Sequence, residues 1–175
     1  MRLTVTETPR IKQTQLRSKL GCMTQQPRPR TQVSDPTGKT VASNVRRVRE
    51  LRGLSTYELS RKLEAAGRPI APSALAKVER AERRVDAGDL VALAAILRVN
   101  PSALLLPLTD DYAETVEITG VGTVGAEQAW DWLDGEGPIE EIAPGDPSGA
   151  LLQFQVYARP PGRRMQLSPG SSEGD

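Results

Sequence analysis

LSTYELSRKLEAAGRPIAPSALAKVERA, residues Leu54 to Ala81, is the stretch whose reading decides the fold. Ser55 followed three residues later by Glu58 forms a capping box, in which each side chain can bond the other residue's backbone N–H at a helix start. Leu54 before the cap and Leu59 beyond it make a hydrophobic staple that fixes the entry angle of the chain. Ile70 and Leu75 bracket Ala71 in the same way, and Pro72 stands at a first helical position, where its missing N–H costs nothing. Ala71 has no side-chain acceptor, so this second start has to rely on packing. Gly67 and Pro69 separate the two patterns, which predicts two short helices joined by a turn.

The pattern extends outward on both sides. Upstream, Val41, Val45, Val48 and Leu51 recur at intervals of four and three as one apolar helix face, with Arg46, Arg47, Arg49 and Arg52 over the rest and Gly53 as the stop. Downstream of a basic turn at Arg83 and Arg84, Asp86 caps a helix with an inward stripe of Leu90, Leu93, Ala94 and Leu97, and Val85 with Leu90 supplies another staple. Asn100 and Pro101 end that helix and begin a fifth, with Val99 and Leu104 as the last staple pair. These signals predict a five-helix domain over residues 41–108.

Composition removes whole classes of chemistry. The 175 residues include no histidine, and Cys22 is the single cysteine, so His-based acid–base catalysis, His/Cys zinc sites and an intramolecular disulfide are excluded. No apolar run is long enough to span a membrane and the N-terminus lacks the apolar core of a signal peptide, so a cytoplasmic protein without a membrane or a cofactor is expected. The net charge of +1 conceals a strong polarity. Residues 1–40 hold eight Lys/Arg against two Asp/Glu, residues 41–108 twelve against seven, and residues 109–175 three against thirteen. A basic front and an acidic back suit nucleic-acid binding by the front.

RRVRELRGLSTYELSRKL, SALAKVERAERR and DLVALAAILRVNPSALL, in that order, resemble the lambda-repressor/Cro-like helix-turn-helix regulators, also called the xenobiotic-response-element family. LEAAGRPI and the RRVD turn look most like actinobacterial members with a longer second helix. The resemblance implies a mainly α, lambda-repressor-like domain whose third helix enters the major groove of duplex DNA. Carried over position by position, it places Pro72, Ser73, Ala76 and Lys77 at base edges. Thr56 falls where family members anchor to phosphate, and Arg68, Arg83 and Arg84 are expected phosphate contacts. Ser73 can bond either class of base edge, Lys77 favours guanine O6 and N7, and Pro72 and Ala76 offer only apolar contact. Such regulators bind paired half-sites as dimers, so a homodimer is expected. Two departures stand out: about five extra residues between Leu63 and Ile70 relative to the shortest members, and Ala81 where glycine is frequent after the recognition helix.

Residues 109–160 are expected to form a small acidic strand-plus-helix appendage. Gly120, Gly122 and Gly125 within TVEITGVGTVGAEQA have the spacing of a dinucleotide fingerprint, but too little chain follows to build a doubly wound sheet. Five of the six aromatic residues lie in this region. Ala129, Trp130 and Leu133 can share a helix face that leaves Trp132 on the other, which suggests dimerisation or, as an alternative function, an adaptor or antitoxin-like protein gripping a protein partner. Residues 150–158 fit a strand or a helix equally. Some related repressors cleave themselves with a Ser/Lys dyad; Lys77 is the last lysine here, so that chemistry is excluded. The proline-punctuated basic arm, residues 1–40, and the Gly/Ser-rich tail, residues 161–175, are expected to be disordered. Met23 opens what reads as a natural beginning, making residues 1–22 an expected extension.

Overall fold

In the computed structural model, residues 32–109, 111–140 and 147–164 are described. The order is α1 (Pro36–Leu51), α2 (Thr56–Ala65), α3 (Pro72–Glu79), α4 (Ala87–Leu97), α5 (Ser102–Leu105), β1 (Thr115–Ile118), β2 (Gly122–Gly125), α6 (Ala126–Leu133) and α7 (Pro147–Ala158), then a 3-10 turn at Pro161–Arg163. The fold is mostly helical with one small sheet.

The helix starts follow the capping chemistry. Ser55 Oγ accepts from the Glu58 N–H while Glu58 accepts from the Ser55 N–H, completing the box. Asp86 accepts from the Asp89 N–H, and α3 begins without a side-chain cap, on Pro72. Val41, Val45 and Val48 of α1 meet Leu59, Leu63, Ile70, Leu75, Val78, Leu93, Ala94, Leu97 and Leu104 in one core, with Leu54, Val85, Leu90 and Val99 packed at its edge. Leu51 departs from the expected stripe and is 75% exposed. The residue one turn beyond Val48 is Arg52, whose guanidinium donates to the carbonyls of Leu97 and Arg98.

Two further features were not expected. The domain begins before Val41: Asp35 caps α1 by accepting from the Gly38 N–H at 2.7 Å, and Pro36 takes the first helical position. Val33 is buried and its N–H donates to the Ala81 carbonyl, so residues 33–40 are structural here and not part of a disordered arm. Gly38 permits this, because a Cβ there would overlap Val33 Cγ1. The other is Asn44, buried inside the apolar face, whose Nδ2 donates to the carbonyls of Leu104 and Leu106.

The appendage is an antiparallel hairpin followed by α6. Thr115 pairs with Gly125 and Ile118 with Gly122, so the three glycines serve a turn and a second strand, and the described residues form no parallel sheet. Leu106, Val116, Ile118, Ala126 and Ala129 make a second core, against which Trp130, Trp132 and Leu133 all pack. Trp132 therefore does not occupy an opposite, unpartnered face. Trp130 Nε1 donates to the carbonyls of Pro107 and Thr109. The ambiguous segment 150–158 is helical, in α7, with Gln155 Nε2 donating to the carbonyls of Gly135 and Glu136. The earlier part of the arm, including Met23, Arg28 and Arg30, and residues 165–175 lie outside the described residues.

Five helices end in the same way, with a residue in left-handed conformation and paired backbone hydrogen bonds reaching back over the last turn. Gly53, Gly67 and Gly135 occupy that position after α1, α2 and α6, whereas Ala81 (φ 55°) and Arg98 (φ 57°) occupy it after α3 and α4. After α3 the Glu82 N–H bonds the Lys77 carbonyl and the Ala81 N–H that of Val78. A side chain there is strained. Ala81→Gly is expected to raise unfolding free energy by about 1 kcal/mol in urea titration.

Asp35, Glu58 and Asp86, at the starts of α1, α2 and α4, are held below the usual carboxylate range, in each case chiefly by a backbone N–H, of Gly38, Ser55 and Asp89 respectively. Their stabilisation is complete above the ordinary carboxylate pKa and is lost as pH falls through the lowered values. The melting temperature is expected to fall below about pH 4, less steeply in Asp86→Asn, which keeps the cap and loses the titration.

Candidate nucleic-acid interface

The third helix is held from beneath and behind, which leaves one face free. Leu75 and Val78 are buried in the main core. Glu79, at the last residue of α3, receives Arg49 of α1 through two parallel bonds, Nε to Oε1 at 2.6 Å and Nη2 to Oε2 at 2.8 Å. Both side chains are largely withdrawn from water, at 12% and 8% exposure. Arg49 also donates to the Leu54 carbonyl, tying the end of α1 to the start of α2, and its pKa is raised, mainly by the hydrogen bond to Glu79. At the other end of α3, Ser60 Oγ donates to the Ile70 carbonyl at 2.6 Å and fixes the turn from α2.

The residues assigned to base edges are Pro72, Ser73, Ala76 and Lys77. Ser73 and Lys77 are exposed at a spacing of four, on one helix face, and Pro72 and Ala76 are half-buried beside them. Among the described residues Lys77 makes no ion pair. Thr56 is half-buried in the first turn of α2. Tyr57 and Arg61, also four apart, stand exposed on α2, and neither was singled out from the sequence. An aromatic side chain outside the apolar stripe was the available signal.

The basic residues assigned to phosphate differ from one another. Arg68 donates from Nε to Asp89 and from Nη2 to both oxygens of Asp86, and its pKa is raised chiefly by the Asp89 bond. Arg83 donates to the other oxygen of Asp89 at 3.2 Å. Asp89 is buried, at 4% exposure, so the two arginines neutralise a carboxylate inside the first turn of α4. Arg84 is exposed and makes no hydrogen bond or ion pair among the described residues. Between Leu63 and Ile70, α2 stops at Ala65 and Gly67 turns the chain at φ +78°. Arg68 ties that connection to α4.

Among the described residues no cluster of His, Cys, Asp or Glu is placed to hold a metal, and no helix is long and apolar enough to cross a membrane. Residues 45–104, from α1 to α5, match the family model described as Helix-turn-helix. No curated protein and no solved structure matches the chain.

The Arg49–Glu79 pair makes a direct prediction. Glu79→Ala strands a largely desolvated guanidinium, and it is expected to cost about 2–3 kcal/mol in chemical denaturation, whereas the double variant Arg49→Met, Glu79→Leu recovers most of that loss.

Proposed function

We propose that the lambda-repressor/Cro-like helix-turn-helix domain at residues 45–104, a DNA-binding module, makes this protein a sequence-specific transcriptional regulator that reads the major groove with α3. The observation that supports this most directly is the exposed pair Ser73 and Lys77 on a helix whose opposite side is fixed by Leu75, Val78 and the Arg49–Glu79 bridge. Ser73 bonds a base edge of either class, Lys77 bonds guanine, and Pro72 with Ala76 lies against a thymine methyl. Thr56 and the start of α2 bond phosphate, with Tyr57 and Arg61 beside them and Arg84 beyond α3. Arg68 and Arg83 are balanced by Asp86 and Asp89, so as phosphate contacts they share their guanidinium donors with those carboxylates.

The protein acts on paired half-sites about one helical turn apart as a homodimer. The exposed Val156 and Tyr157 of α7 offer apolar surface for that association. The adaptor reading is weaker than the DNA reading, because the two tryptophans that would have anchored a partner pack on the second core.

Selection of bound fragments from randomised duplexes, followed by fluorescence anisotropy, tests the proposal. A preferred palindromic sequence bound by two chains is expected. Lys77→Ala is expected to weaken binding to that sequence by about 1–3 kcal/mol and to relax preference at one base pair in each half-site. Equal losses on selected and random DNA would reassign Lys77 to phosphate, and no enrichment at all would refute sequence reading by α3.

A further inference from the structure

Where α1, the end of α3, the α3–α4 turn and the tip of the hairpin meet, the surface carries an open pocket of about 420 Å³. That size suits a small organic molecule. Its accessible walls are apolar, supplied chiefly by the half-buried Val85, Leu90 and Leu105, with Val33, Val41 and Val78 closed into the core behind them. The rim is charged, and the charges are not equivalent. Asp86 is engaged by Arg68 and by the Asp89 N–H, and Asp35 by the Gly38 N–H and Thr119 Oγ1. Arg83 bonds Asp89. Arg84 alone among the lining ions has no hydrogen-bonded partner among the described residues; its charge reaches Asp35 only through space.

The hairpin is secured over this space. Thr37 and Thr119 exchange reciprocal bonds, Thr119 N–H to Thr37 Oγ1 at 2.9 Å and Thr37 N–H to Thr119 Oγ1 at 3.2 Å, and Thr119 Oγ1 donates on to Asp35 at 3.0 Å. The rim is therefore built by ordered polar groups, which supports a preformed site.

We propose that this pocket is a binding site for an amphipathic organic anion, a carboxylate whose hydrocarbon body lies against the valine and leucine walls and whose oxygens take a bidentate pair of hydrogen bonds from the Arg84 guanidinium. Asp86 has both oxygens on Arg68 and Asp35 accepts twice at Oδ1, so a cation would find only Asp35 Oδ2, under the charge of Arg84. A wholly apolar ligand would leave the exposed Arg84 guanidinium to water and gain nothing from its charge. Because Arg84 stands in the turn between α3 and α4, occupancy competes with phosphate for the same guanidinium; that consequence rests on the DNA reading above, whereas the site does not.

The test uses the full chain without DNA. The protein is titrated with decanoate below its micellar concentration, with decanol and decylamine as neutral and cationic counterparts, and followed by thermal melting and by 1H–15N NMR. Saturable decanoate binding is expected to raise the melting temperature and to shift the amide resonances of Val33, Ala42, Val85 and Thr119. Arg84→Ala is expected to weaken it about tenfold or more, and Arg84→Lys less. Equal or tighter binding of decanol or decylamine overturns the proposal. So do resonance shifts confined to other surfaces, an Arg84→Ala affinity equal to that of the unaltered protein, or no binding of decanoate.

Discussion

Arg49 and Glu79 meet across the domain, one from the last turn of α1 and one from the last residue of α3, and the placement of α3 depends on that meeting. An eight-residue helix that starts on an uncapped alanine has little stability of its own. Two buried side chains set its depth, but apolar packing alone tolerates rotation about the helix axis. A planar guanidinium that grips both oxygens of a carboxylate does not tolerate it, because rotation would break two bonds in a site nearly closed to water. The same arginine bonds the carbonyl of Leu54, so the starts and ends of three helices are referred to one group. The outward direction of Ser73 and Lys77 follows from this constraint.

A second polar group does comparable work at the other end of the domain. Asn44 sits in an apolar stripe, where an asparagine would ordinarily be unfavourable, and it satisfies two carbonyls beyond the reach of a regular helix, those of Leu104 and Leu106. Its own oxygen accepts from Arg47. The short α5 is thereby closed against α1 by hydrogen bonds as well as by Leu104. Asp89, buried between Arg68 and Arg83, shows the same use of charge to hold an irregular segment, here the extended connection between α2 and α3.

Most of the helical domain was legible because its information is local. The capping box at Ser55, the proline at 72, the cap at Asp86 and the glycines at 53 and 67 each act within a few residues and act as written. The strained left-handed position at Ala81 was legible too, as an alanine where glycine is easier. What could not be read was long-range. Nothing near Asp35 announces that Val33 will pack on Gly38 and bond Ala81, and nothing near Arg68 announces two aspartates some twenty residues later. The same limit applied to the tryptophans: Trp130 and Trp132 looked two-sided on a helical wheel, yet the second core wraps far enough around α6 to receive both.

Leu106 belongs to both halves of the molecule. Its carbonyl is held by Asn44 of α1, and its side chain is buried with Val116, Ile118, Ala126 and Ala129. Ser102 adds a bond to Asp134 at the end of α6, and the Thr37–Thr119 exchange adds another on the far side. Separating headpiece from appendage at Pro107 would strip Leu106 of its cover and leave the hairpin's apolar face in water. Helical domain and appendage thus belong to one compact unit.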